Sequence, residues 1–263
     1  MKIAYFGFDL FFDCLQTIFD NNHEIIKIFT CKVFEPYESN RKVLSFSNEH
    51  HIPITDEKVT KFMIEELETA GCELIISAGY YYKIPISEKI IGLNVHPSIL
   101  PIGRGPWPEP NVILKGLNHS GVTLHKLSEK LDEGDIILQK KFDVESDENL
   151  ETLTEKSKKY AVEVLNEFLK NVNICLGNPV KQPFGEYWPE PSIDDMSFDI
   201  NDSYTKINTI TRAFYGFCCY FNTGNEIIKI KRAKCYKTEF ANKENDCISY
   251  SINGGVLIVL DLA

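Results

Sequence analysis

The first hundred residues alternate short apolar runs with helical stretches, and this limits the fold more than any other feature. Residues 2–6 (Lys-Ile-Ala-Tyr-Phe) read as a buried strand ending at Gly7. Leu10 to Phe19 reads as a helix, and Glu24 to Thr30 as a second strand. Glu57 to Thr69 sets Met63, Ile64 and Leu67 on one helical face. Glu73 to Ser77 is a third strand ending at Ala78-Gly79, and Ile91 to His96 is a fourth. Strands alternating with helices predict an α/β fold, a Rossmann-like, doubly wound, mostly parallel sheet.

Gly121 to Leu127 and Asp135 to Val144 read as two further strands joined by the turn around Gly134. From Leu150 to Val172 a long amphipathic helix keeps Leu153, Tyr160, Val164 and Phe168 on one face. Pro179, Pro183, Pro189 and Pro191 then mark a linker or ordered crossing segment. Ser203 to Tyr215 fits a helix. The remainder is β-rich: Phe217 to Phe221, Glu226 to Lys237, Cys247 to Ile252 and Val256 to Leu260. The expected organisation is a catalytic domain over 1–178, a crossing segment over 179–202, and a small C-terminal subdomain, helix plus β-rich, over 203–263.

Several function classes are disfavoured. Lys plus Arg number 28 against 38 Asp plus Glu, a net charge of −10. That balance argues against broad binding to nucleic acid or a membrane surface. It leaves room for an anionic small molecule held by a few cations. No apolar run is long enough to span a bilayer. Ile3 to Phe19 is interrupted by Asp9 and Asp13 and lacks a small-residue cleavage site, so no signal peptide is expected. The eight cysteines form no C-x-x-C pair. Reduced thiols in a cytoplasmic protein without a metal site are the expectation. Gly7-Phe8-Asp9 is not a G-x-G-x-x-G turn, and no Walker loop, H-E-x-x-H or G-x-S-x-G elbow occurs. His50-His51 reads as structural or solvated, since adjacent side chains on one element diverge.

Chemistry concentrates in two segments. In Asn94-Val95-His96-Pro97-Ser98, Asn94 and His96 lie two apart on a strand and so share a face. Pro97 ends the ladder, leaving an amide and an imidazole at the carboxyl end of a parallel strand, where open α/β sheets bind ligands. A polar strand terminus with a hydrogen-bonded core histidine would read the same way. The second segment, Leu131-Asp132-Glu133-Gly134, is an acidic turn before a strand.

Together the two segments resemble the formyltransferases that use N10-formyltetrahydrofolate. The resemblance rests on Asn94, His96, Ser98, Leu131, Asp132 and Gly134 and runs from Met1 to about Leu169. It implies the formyltransferase fold and a catalytic set of Asn94, His96 and Asp132. It also implies cofactor contacts from Ala78, Gly79, Tyr80, Leu131 and Gly134, mostly through main chain, with Tyr80 on the cofactor side. Asn94 would donate to the developing oxyanion. His96 would act as general base or, if protonated, as a second donor, with Asp132 orienting it. Whether burial raises the Asp132 pKa or His96 lowers it is open from sequence.

Arg104-Gly105-Pro106-Trp107-Pro108 departs from the Arg-Gly-Ala-Ala-Pro pattern of tRNA formyltransferases and looks like the nucleotide-sugar variant. The Gly185–Glu190 segment does too, whereas Arg212-Ala213-Phe214 does not discriminate. Tyr215 to Ala263 is short for the basic C-terminal barrel of a tRNA enzyme. A folate deformylase carries an N-terminal regulatory domain in the family, and the first strand here starts at Lys2. The resemblance therefore implies formylation of a nucleotide-linked amino-deoxy sugar, a dTDP-3-amino- or 4-amino-6-deoxyhexose, for O-antigen or similar surface polysaccharide, by a homodimer. Arg104, Gly105, Trp107, Tyr187, Trp188, Arg212 and Tyr215 are the expected substrate-side residues. The aromatics among them fit equally as packing over an interdomain seam, and Arg212 fits equally as a partner of Asp199 or Asp202.

Overall fold

Ile3, Ala4, Tyr5 and Phe6 are fully buried in the first strand, β1 (Lys2–Gly7), as expected for a strand covered on both faces. The computed structural model describes residues 1–34, 37–237 and 248–263. After a 3₁₀ turn at Asp9–Phe11 come α1 (Phe12–Asp20), β2 (Glu24–Phe29), α2 (Arg41–Glu49), β3 (Ile54–Thr55) and α3 (Lys61–Thr69). β4 (Leu74–Ala78) and β5 (Ile91–His96) complete the parallel part. Next are β6 (Ile102–Arg104), α4 (Pro108–Leu114), β7 (His119–Lys126), β8 (Ile136–Asp143), α5 (Leu150–Lys170), α6 (Val172–Gly177) and β9 (Glu186–Tyr187).

The main sheet has seven strands in the order β3-β2-β1-β4-β5-β7-β8. β1 pairs in parallel with both β2 and β4, so the strand order reverses there, and β5 pairs antiparallel with β7. The expected doubly wound, mostly parallel sheet is what forms. One face of β1, β2 and β4 supplies Ala4, Phe6, Phe29 and Ile75 to a core shared with Ile64 and Leu67 of α3. Phe6 and Phe29 stack at 4.3 Å.

Two expected boundaries shift. The helix read from Glu57 begins at Lys61, because the Thr60 hydroxyl accepts from Met63 N–H and caps it. The long helix ends at Lys170 and a separate α6 follows. Helix α2 was not anticipated. Its N-terminus is capped from a distance: Asp9 Oδ2 accepts from Lys42 N–H at 3.0 Å and Oδ1 from Val43 N–H at 3.0 Å. A carboxylate thus occupies the N-terminus of α2, taking the N–H groups that a helix start otherwise offers to an anion.

The second sheet contains β10 (Ser197–Asp199), then after α7 (Tyr204–Ala213) the strands β11 (Cys219–Asn222), β12 (Ile227–Lys237), β13 (Ile248–Ile252) and β14 (Gly255–Leu262). Their order is β10-β11-β12-β14-β13. Cys247, expected to open the third strand of this region, lies outside the described residues. Ser203 caps α7, whose Ile207, Ile210 and Ala213 are buried.

The chain forms two compact units. One comprises Met1–Pro106, Ser120–Phe142 and Lys156–Tyr187, and the other Trp107–His119, Asp143–Glu155 and Trp188–Ala263. The second unit is therefore not only the C-terminal run expected from composition. Within it, α4 and the strands β10 and β12 pack against α7. No helix among the described residues is long and apolar enough to cross a membrane.

Candidate active site

The site grows from β5. Alternation puts Leu93 and Val95 into the core and leaves Asn94 and His96 on the other face. The antiparallel register sets Asn94 opposite His125 and His96 opposite Thr123 on β7. The turn between β7 and β8 then brings in Asp132, whose backbone is left-handed at φ 54°.

His96 is 4% exposed, His125 1% and Asp132 5%. His96 Nε2–H donates to the Gly103 carbonyl at 2.7 Å, which fixes its tautomer. Its Nδ1 faces Asp132 Oδ2 at 3.8 Å. The same carboxylate oxygen accepts from Gly105 N–H at 2.9 Å. Gly103 and Gly105 have φ of 78° and 128°, conformations glycine adopts without strain, so one short loop holds both the imidazole and the carboxylate. The Ser98 hydroxyl closes the preceding turn by donating to Ile102 O at 2.9 Å.

His125 is the residue that sequence reasoning missed. Its Nδ1–H donates to Lys126 O at 2.9 Å, so in the neutral ring Nε2 accepts from Asn94 Nδ2 at 3.2 Å. Nε2 also stands 3.4 Å from Asp132 Oδ1. Its alternation with Leu124 was visible in the sequence, but its pairing with Asn94 depends on a register that was not.

Burial lowers the His96 pKa below the usual imidazole value, and the neighbouring Asp132 only partly offsets this. For Asp132, burial acts upward, but His96, His125 and the Gly105 N–H outweigh it and hold the carboxyl at about 2. The question left open by the sequence is thereby answered in favour of the charged partners. Near neutral pH the arrangement is an ionised carboxylate beside an uncharged imidazole with a free Nδ1.

Other expected residues fall in varied places. Tyr80 is half-buried: its ring packs edge-on against Phe6 at 5.2 Å and its hydroxyl accepts from Val59 N–H. Ala78 and Gly79 then contribute main chain at the carboxyl end of β4, beside the point where strand order reverses. Leu131 is exposed. Gly134 is required by close approach, since a Cβ there would lie 1.8 Å from Lys126 O. Such uncharged main-chain donors and acceptors suit a neutral heteroaromatic ring with polar edges, so these residues fit the folate cofactor that the resemblance implies.

Arg104 is 7% exposed, and its guanidinium is engaged by Gln182 and the Pro183 carbonyl. Tyr187 pairs with it across β6 and β9 and is exposed. In the second unit, Trp107 packs on Phe214 and Phe217 at ring distances of 6.0 and 5.0 Å. Trp188 is buried under the Lys115 ammonium, and Tyr215 lies beside Arg232. Arg212 donates to the Glu148 carbonyl at 2.8 Å rather than pairing with Asp199 or Asp202. Asp202 instead pairs with Lys206. No cluster of three His, Cys, Asp or Glu among the described residues could hold a metal ion.

Comparisons with known proteins bear on the family and the fold. A family model described as "Formyl transferase" matches residues 31–169. A methionyl-tRNA formyltransferase of Coprothermobacter proteolyticus is 30% identical over 248 residues, covering 89% of this chain and 80% of that protein. Among solved structures, an N-formyltransferase from Helicobacter canadensis in complex with folinic acid and dTDP-3-aminofucose superposes with a TM-score of 0.70 at 18% identity, covering 99% of this chain and 99% of that one. HypX from Aquifex aeolicus in complex with tetrahydrofolic acid gives a TM-score of 0.72 at 19% identity over 98% of this chain, which spans only 43% of the HypX chain.

Proposed function

Because the chain belongs to the formyl transferase family, we propose that it transfers a formyl group from N10-formyltetrahydrofolate to the amine of a nucleotide-linked amino-deoxy sugar, a dTDP-3-amino- or 4-amino-6-deoxyhexose. The observation that carries the chemistry is the buried cluster in which Asp132 stands 3.8 Å from His96 Nδ1, with Asn94 alongside on β5. For the acceptor, support comes from the end-to-end likeness to the Helicobacter canadensis enzyme and from the net charge of −10, which offers no surplus of cations to a tRNA.

The bound cofactor supplies the formyl carbon, carried on a nitrogen that can depart. Asn94 is the donor to the acyl oxygen as that oxygen gains charge, a role whose loss typically costs about 2.7–4 kcal/mol. With Nε2–H committed to Gly103, Nδ1 of His96 is the atom left to take the amine proton, which the imidazolium then returns to the nitrogen that departs. Asp132, ionised and 3.8 Å away, stabilises the imidazolium that results by about 4 kcal/mol at an effective dielectric near 20. Enclosure of these groups limits competing proton exchange with water.

The Coprothermobacter relative favours a second reading, formylation of methionyl-tRNA. A mass-spectrometric endpoint assay separates the two. Protein and N10-formyltetrahydrofolate are incubated with dTDP-, UDP- and GDP-linked amino sugars and, separately, with methionyl-tRNA. A formyl mass gain on a dTDP-amino sugar that vanishes in His96→Gln is the expected result. A gain on the tRNA alone overturns the sugar assignment, and cofactor consumption without a formylated acceptor points to deformylation.

A further inference from the structure

Gln182 lies in the segment read from sequence as a linker, yet it makes four hydrogen bonds in the first unit. Its Oε1 accepts from Arg104 Nε at 3.1 Å and from Arg104 Nη2 at 2.8 Å. Its Nε2 donates to Asp132 O at 2.9 Å and to Gly134 O at 2.6 Å. Arg104 is itself fixed by Pro183 O at 3.0 Å, with Glu133 at 3.7 Å from Nη1.

The two sides of this amide constrain each other. A guanidinium only donates, so Arg104 dictates which end of Gln182 is oxygen. The NH₂ end must then face the two carbonyls. Those carbonyls belong to the turn that carries Asp132, whose φ of 54° lies in the sparsely populated left-handed region.

We propose that Gln182, oriented by Arg104, is a positioning residue that holds the Asp132 turn in the geometry in which the carboxylate faces His96. Arg104 accordingly acts through Gln182 rather than on the substrate. This rests on the reading of Asp132 as part of the catalytic set.

Two variants test it. Gln182→Met has similar size and adds no charge, and it removes all four bonds. Gln182→Glu keeps both contacts to Arg104 but presents oxygen to the carbonyls. Turnover is measured with N10-formyltetrahydrofolate and dTDP-3-aminofucose. The His96 ring is titrated by NMR in the cofactor-free protein, its signal assigned by its absence in His96→Gln. Both variants are expected to melt as folded proteins and to lose about 10²-fold in kcat, the scale of a small misplacement at a reacting centre. In Gln182→Met the His96 pKa is expected to fall, because Asp132, the charge that raises it, is no longer held opposite, while His125 remains.

Wild-type turnover in Gln182→Glu would mean that only the Arg104 contact matters and would overturn the proposal. An unmoved His96 titration in Gln182→Met would do the same. Asp132→Asn, run in parallel, separates the two levels. If it keeps near-native turnover, the reading of Asp132 as catalytic fails, whereas its inactivity beside active Gln182 variants sinks only the role given to Gln182.

Discussion

Nδ1 of His96 stands 3.8 Å from Asp132 Oδ2, too far for a direct hydrogen bond, while the proton on Nε2 is committed to the Gly103 carbonyl. The imidazole therefore offers its lone pair toward the carboxylate. That is the geometry of a base waiting to be charged, and it fixes the direction of several experiments.

The pH profile follows from it. His96 is neutral, and competent as a base, above its pKa, which burial places below the ordinary value near 6.5. The enzyme's own acid limb, read from kcat with the acceptor saturating, should lie below pH 6.5. Asp132 stays ionised throughout, so it adds no second limb in the working range. A rate that falls as pH rises through the His96 pKa would instead identify the imidazolium, acting as a donor, as the active form.

Asn94→Ala should lower kcat by about 10²–10³-fold with little change in the KM of the amine, the pattern of a donor that works mainly in the transition state. Steady-state kinetics decide this. An effect confined to KM would assign Asn94 to ground-state binding.

His125→Phe keeps a ring in the space but removes the acceptor that holds the Asn94 amide. The loss of one such bond is worth about tenfold in kcat. Combining it with Asn94→Ala should add little further loss, because the two side chains act as one unit. Full additivity in the double mutant would separate them.

Asp9→Ala removes the distant cap of α2 and touches no catalytic group. Unfolding in urea should reveal a loss of about 1 kcal/mol, as for other capping residues. The acid limb of activity should not move.

Much of this was legible because periodicity is local. The phase of Asn94 and His96 on β5 follows from alternation alone, and the parallel sheet follows from strands that are apolar on both faces. What was not legible depends on partners far along the chain. Helix α2 buries only Val43, Phe46 and Ser47, a weak pattern, and its cap comes from Asp9. His125 became a site residue through the register of β7 on β5, and Gln182 through bonds to a turn 50 positions earlier.

The bond from Gln182 to the Asp132 carbonyl has a consequence for how the protein is made. A nascent chain that has emerged only as far as β5 already carries Asn94 and His96, but lacks Asp132. Emergence of β8 brings Asp132 without the bonds that Gln182 gives its turn. Residue 182 is the last of these parts to be synthesised, so the clasp we propose closes only late in synthesis.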